Sequence, residues 1–283
     1  MFSRMCITAR LFSWILLSAA MLFRVSALAA PPKPDRPMIY SVNPCGEGYP
    51  IGAPHDGSDF VCYQDLVWEK VAEAGSRSAR ILASWRDIES TKGNWKWTDL
   101  DEQVATCDKY DIEPVTLIYN IPGWASPTSK PAHEYSPRAE NLPDFEAFLT
   151  RMAQRYKGRI NYYEFWNEPN GWGWHVDKGP DGEQKFNRAD EYVPLLYQAY
   201  KTIKAADSDA QVAMGGLDDR GGNAWVFLEM AYKMRKDRYK NEKFWDAVAL
   251  HPYNARPTDV ITPLRTKLDS IRQVAARYGD KDI

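Results

Sequence analysis

A carboxylate at the end of an apolar run is the first feature with chemical potential in this 283-residue chain. In the stretch YYEFWNEPNGWGW, Tyr162 to Trp174, the run stops at Asn167, Glu168 and Pro169. Proline ends a strand, so Glu168 stands where a strand passes into a loop, a place from which a carboxyl group can exchange protons with a bound molecule. The alternative is a solvated loop carboxylate with no partner chemistry. Three tryptophans, Trp166, Trp172 and Trp174, surround it, a surface suited to a flat, partly apolar ring such as a sugar. Trp172 and Trp174 lie in a glycine-spaced loop, where stacking on such a ring and packing within the loop both account for them.

The elements that must position these residues alternate along the chain. Strand-like runs begin at Met38 (MIYSV), Ala79 (ARILASW), Pro114 (PVTLIYN), Ile160 (INYYEFWN), Gln211 (QVAMGG) and Asp246 (DAVALHPY). Between them lie amphipathic segments with helical spacing, two of which close on Gly75 and Gly279, as helix C-termini often do. Such alternation implies parallel pairing through helical crossovers. A doubly wound sheet would want a glycine-rich phosphate loop opening a helix after its first strand, and Cys45-Gly46-Glu47-Gly48 opens none. Polar and aromatic residues instead gather at the ends of several strands, as on the C-terminal face of a (β/α)8 TIM barrel, which is the fold expected. About six of the eight βα units are present, by the eight-unit rule. In a closed barrel, alternation would send Glu164, Trp166 and Glu168 to the interior side.

Composition narrows the partner. With a net charge of -2 the chain has no basic stripe for nucleic acid, so a neutral or small ligand is favoured. Arg4 and Arg10 precede the apolar run Leu11 to Phe23, and Ala27-Leu28-Ala29 leads into a proline-rich stretch, the pattern of a secretory signal peptide over residues 1–29. Residues 30–37 form a linker and 38–283 the barrel domain. The run is short for a membrane span, and an anchor extended to Ala30 would be interrupted by Arg24. A secreted or periplasmic protein, free of the membrane once cleaved, is expected. Export permits disulfides: Cys45 and Cys62 flank a Gly- and Asp-rich loop and are expected to pair, whereas Cys107, inside a helical stretch, reads as a small buried residue. The four histidines are scattered and no Cys/His spacing fits zinc, so neither a metal nor another cofactor is expected.

The strand-end motifs together resemble a known family. The Asn-Glu-Pro at 167–169, RILASWRDIESTKGNWKWTDLD on the second strand, TLIYNIPGWAS on the third and VALHPYN on the sixth are similar to the retaining glycoside hydrolases of clan GH-A. The likeness is greatest to family 39 and its bacterial exopolysaccharide-hydrolase relatives, over nearly all of Met38 to Ile283.

That resemblance implies a poly- or oligosaccharide substrate cleaved by double displacement, with two carboxyl groups about 5 to 5.5 Å apart. Glu168 would be the general acid/base and Asn167 the partner of a sugar 2-hydroxyl. Arg80 and Tyr253 match residues that flank the nucleophile, and His251, Trp124 and Trp172 would line sugar subsites. The nucleophilic glutamate belongs to strand seven, expected beyond Ile283, so this chain by itself is expected to be inactive. From the residues alone, Arg80 could equally pair with Glu164, and His251 and Tyr253 could be hydrogen-bonded core residues. Trp85, Trp95 and Trp97 read as packing residues. Asp218 and Asp219 end the fifth strand but read better as a helix start. A carbohydrate-binding protein of the same fold, without catalysis, is the competing reading; a metal-dependent barrel hydrolase lacks clustered ligands.

Overall fold

The computed structural model describes residues 41–42, 68–131, 135–171, 174, 177–178, 184–185, 188–219, 223–253 and 261–281. The signal segment, the linker, Cys45, Cys62 and Trp172 lie outside the described residues.

Among the described residues, six strands form one parallel sheet: β1 (Ser41–Val42), β2 (Ser78–Ser84), β3 (Glu113–Tyr119), β4 (Tyr162–Asn167), β5 (Gln211–Asp218) and β6 (Ala247–His251). Their order in space is their order in the chain. A doubly wound sheet reverses strand order at its switch point; here no reversal occurs, so the winding is that of a barrel. Among the described residues six of the eight strands of a full (β/α)8 barrel are present. The inner strands read as nearly continuous apolar runs because both faces are covered. β2 and β3 pair from Ser78 with Glu113 to Ser84 with Tyr119, while β4 enters with Tyr162 opposite Val115. That stagger brings Ser84, Asn120, Glu168, Asp218 and His251 to one rim.

The crossover helices lie where apolar spacing places them: residues 68–73 (α1), Thr98–Lys109 (α3), Leu142–Arg155 (α4), Ala189–Ala206 (α5), Asn223–Tyr239 (α6) and Ile261–Arg277 (α7). Phe145, Phe148, Leu149 and Met152 form the buried stripe of α4, and Tyr192, Val193, Leu196, Ala199 and Ile203 that of α5. Gly75 and Gly279 follow helices with φ of +78° and +79°, the left-handed conformation that glycine supplies at helix ends. Trp85–Ile88 (α2) is a single turn whose first residue, Trp85, the apolar run ARILASW includes in the strand. Asp177–Lys178 and Gln184–Lys185 add an unanticipated antiparallel ribbon after β4.

Trp85, Trp95 and Trp97 pack as expected. Trp85 lies 5.2 Å from Phe145 and 5.8 Å from Phe148, Trp97 stacks on Phe148 at 6.1 Å, and Trp95 on Trp97 at 5.9 Å, between ring centroids. Cys107 is free and buried on α3, and burial pushes its thiol up to about 12, which leaves it protonated and unreactive. No described helix is long and apolar enough to cross a membrane.

Candidate active site

The end of β4 is bent by its own backbone. Trp166 and Glu168 have φ of +72° and +44°, conformations that cost a non-glycine residue of order 1 kcal/mol or more and that persist only when the surroundings enforce them. Both residues are buried. The β4–β5 ladder pairs Phe165 with Met214 and Asn167 with Gly216, and omits Trp166 with Gly215 between them. β5 in turn bulges against β6, where Met214 to Leu217 spans Val248 to Leu250. Bulges beside a barrel rim re-aim side chains. The Glu168 N–H donates to the Gly216 carbonyl at 3.1 Å and the Gly171 N–H to the Glu168 carbonyl at 2.9 Å, so the chain is tied down on both sides of Pro169.

Strict alternation therefore fails here. Glu164 faces inward as expected, but Asn167, which alternation would send to the other side, meets the same arginine. Arg80 on β2 donates through Nε to Glu164 Oε2 at 2.9 Å, through Nη2 to Glu164 Oε1 at 3.0 Å, and through Nη2 to Asn167 Oδ1 at 2.9 Å. The Gly216 N–H adds a bond to Glu164 Oε1 at 2.8 Å. Glu164 is thus a buried carboxylate held by a two-pronged guanidinium and a backbone donor.

Glu168 faces β6. The Tyr253 hydroxyl donates a hydrogen bond to Glu168 Oε1, and His251 Nδ1 lies 3.0 Å from the same oxygen. The other ring nitrogen, Nε2, is 3.9 Å from Glu164 Oε1. One imidazole therefore stands between the two carboxylates. Glu168 is 7% exposed and Tyr253 is 39% exposed, so the carboxyl lies recessed beside a residue that is itself exposed.

An outer ring of contacts holds these groups. Tyr253 N–H donates to Asp219 Oδ1 at 2.9 Å, and Lys267 on α7 donates to the Tyr253 carbonyl and forms an ion pair with Asp219 through Oδ2. Asp219 is therefore an anchor for Tyr253. Asn170 accepts from Asp218 N–H at 2.8 Å and donates to the Asp218 carbonyl at 2.6 Å, joining the loop after β4 to the end of β5. Asn120, with φ of +63°, donates to Ser84 Oγ at 3.1 Å.

The sequence-predicted residues divide accordingly. Glu168, Asn167, Arg80, His251 and Tyr253 come together, with Arg80 on Glu164 and Asn167 and with Tyr253 on Glu168 itself. Trp124 is half-buried: its indole N–H donates to the Glu89 carbonyl at 2.9 Å, its edge meets Trp85 at 5.3 Å, and Lys92 lies 5.4 Å from its ring centroid. Trp174, for which sugar stacking was one of two readings, is 2% exposed and packs on Trp166 and Tyr192 at 5.1 and 5.5 Å; it is a packing residue. The reading of the sequence missed Gly216, Asp219 as an anchor, Lys267 and Tyr192. Adjacent glycines inside a strand signal close backbone approach and could have pointed to Gly215 and Gly216; nothing comparable marks the others.

No protein-family model matches the chain, and no curated protein matches it. Solved structures do. A thermostable mutant of a xylanase, Xyn10A, from Cellvibrio japonicus is 15% identical, with 78% of this chain and 64% of that one covered at a TM-score of 0.56. The fold is one that glycoside hydrolases share. A glucosidase from Croceicoccus marinus matches at 14% identity over 76% of this chain and 46% of that one, with a TM-score of 0.53. A family 39 glycoside hydrolase from the gut symbiont Bacteroides cellulosilyticus WH2 matches at 16% identity over 76% and 51%, with a TM-score of 0.45. The chain spans less than two thirds of the length of each of these glycoside hydrolases.

Proposed function

We propose that this chain carries the acid/base half of a retaining glycoside hydrolase acting on a poly- or oligosaccharide, with Glu168 as the proton donor. The observation that carries this reading is the convergence of Tyr253 and His251 on one oxygen of a recessed rim carboxylate, with the Asn167 carboxamide adjoining. In the first step a second carboxylate attacks the anomeric carbon while Glu168 gives its proton to the departing glycosidic oxygen. In the second, Glu168 takes a proton from water as its oxygen attacks the same carbon, and the carboxylate leaves. Asn167, oriented by Arg80, would bond the sugar 2-hydroxyl as charge develops on the ring. Tyr253 and His251 orient Glu168 and line the sugar site, and Trp124 and Trp172 extend that lining.

Glu164 is a poor candidate for the nucleophile. Arg80 engages both of its oxygens and Gly216 N–H one of them, so attack would break several charge-assisted bonds. We propose instead a carboxylate on a further strand paired to β6, as the family resemblance implies. Export by the residue 1–29 segment is part of the same proposal.

The test is hydrolysis of xylo- and gluco-oligosaccharides by the full-length protein, with the first-formed anomer read by NMR. Retention of configuration in the wild type, and a severe loss of oligosaccharide hydrolysis in Glu168→Ala, is the expected result. Inversion would overturn the mechanism, and binding without turnover would favour the carbohydrate-binding reading.

A further inference from the structure

The end of β4 departs from regular strand geometry at Trp166, and a side chain from a helix stands where the strand pairing is interrupted. Tyr192 lies on α5, 0% exposed. Its hydroxyl accepts from the Gly215 N–H at 2.9 Å and donates to the Phe165 carbonyl at 2.8 Å. It thus spans β4 and β5 at the step where Trp166 and Gly215 do not pair. Two consecutive N–H groups of β5 are taken by side chains: Gly215 by Tyr192, and Gly216 by Glu164.

The fit around this hydroxyl is close. A Cβ on Gly215 would lie 2.3 Å from the Trp166 carbonyl oxygen and 2.5 Å from that of Phe165, so the strands approach there as only glycine allows. The Tyr192 ring is held by Phe165 at 5.7 Å, Trp174 at 5.5 Å and Phe227 at 5.6 Å, from β4, the following loop and α6. Burial drives the phenol pKa far upward, so the group stays a neutral hydroxyl that both donates and accepts.

We infer that the Tyr192 hydroxyl is a positioning residue for the proposed acid, replacing the missing ladder step so that the backbone turns at Trp166 and presents Asn167 to Arg80 and Glu168 to His251 and Tyr253. It acts through the backbone and touches no substrate. The inference rests on the glycosidase reading of Glu168, while the bridge itself does not depend on it. Without the hydroxyl the backbone between Phe165 and Gly215 loses a donor and an acceptor in a buried site, and the left-handed residues that follow lose their constraint.

The experiment uses isotope-labelled full-length protein. In the wild type, a Tyr192 hydroxyl proton protected from solvent should give a nuclear Overhauser contact to the Gly215 amide. In Tyr192→Phe, Gly215 amide exchange should quicken by at least about tenfold while Val212 and Met214 change little, reporting a local opening. Its kcat on a glycoside with a poor leaving group should fall by at least about tenfold with KM within about threefold, as for an interaction used in the transition state. An absent hydroxyl signal, unchanged Gly215 exchange, or unchanged kcat overturns the inference. If Tyr192→Phe does not fold, 3,5-difluorotyrosine at position 192 keeps the ring but accepts more weakly; exchange and kcat should move in the same directions, and unmoved values overturn the inference. A wild type that hydrolyses no glycoside yet shows the protected hydroxyl defeats the glycosidase reading and leaves the bridge standing.

Discussion

Gly216 and His251 share one space: a Cβ on Gly216 would lie 2.1 Å from His251 Nε2. The imidazole reaches between Glu164 and Glu168 because β5 has no side chain at that point. Gly216→Ala should push the ring away from its 3.0 Å contact with Glu168, and displacement on this scale costs about 10–100-fold in kcat/KM. The check is steady-state kinetics on an oligosaccharide together with the His251 imidazole chemical shifts. Wild-type activity in the alanine variant would show that the imidazole's position is immaterial.

Replacement of Glu168 separates the two roles proposed for it. A proton donor matters most when the leaving group is poor, so Glu168→Ala should slow an alkyl glycoside or oligosaccharide by about 10²–10⁴-fold. An aryl glycoside with an acidic phenol should show a much smaller loss of its first step, and added azide should restore turnover by attacking where water no longer has a base. Equal losses on both substrates would remove Glu168 from the acid position.

Asp101 supplies a pH signature independent of catalysis. The hydrogen bond from Arg155 holds its carboxyl below the ordinary value of 3.8, helped by the Tyr156 hydroxyl. A folded-state pKa below the unfolded one means that the stabilisation is fully present above the unfolded pKa and is lost as pH falls through the folded one. The pair joins α3 to α4 at a partly exposed surface, so its contribution is about 1 kcal/mol or less. Asp101→Asn should therefore lower the urea midpoint at pH 7 and converge on the wild type as pH drops below about 4. A difference that persists undiminished at pH 3 would contradict this.

The contrast between β2–β6 and the bend at Trp166 shows what can be read without coordinates. Five apolar runs bounded by turn residues lie within a few positions of their strands; in β2–β5 burial on both faces leaves little else for those residues to do, while β6, at the sheet edge, is half-buried throughout. Glu168 was visible because Pro169 ends the strand behind it. The left-handed φ at Trp166 left no trace, since a tryptophan there carries none of the signals by which glycine marks such a position. Alternation consequently put Asn167 on the wrong side. Arg80 was ambiguous for a chemical reason: a guanidinium serves a buried glutamate as well as a ligand, and here it holds both Glu164 and Asn167. Tyr192 occupies the apolar stripe of α5, where a hydroxyl that bonds strand backbone looks like any other core aromatic.

The Asp219–Lys267 pair holds Tyr253, and it can be dissected. The Asp219 side chain is 0% exposed and the Lys267 side chain is 20% exposed, so removing the lysine leaves a buried carboxylate without its cation. Loss of one partner of a buried pair typically costs about 3–5 kcal/mol, and Lys267→Met should lower the unfolding free energy by an amount of that order. Asp219→Asn keeps an acceptor for Tyr253 N–H and removes the charge, so Asp219→Asn with Lys267→Met should recover most of the stability lost by the single lysine variant. Activity should not recover with it, because Lys267 also bonds the Tyr253 carbonyl and its loss frees one end of the residue whose phenol reaches Glu168. Paired denaturation and kinetic measurements on the three variants test this. A double variant as unstable as Lys267→Met would show that the buried charge is not the source of the loss, and one restored in both stability and kcat would show that Tyr253 does not need the lysine to be held.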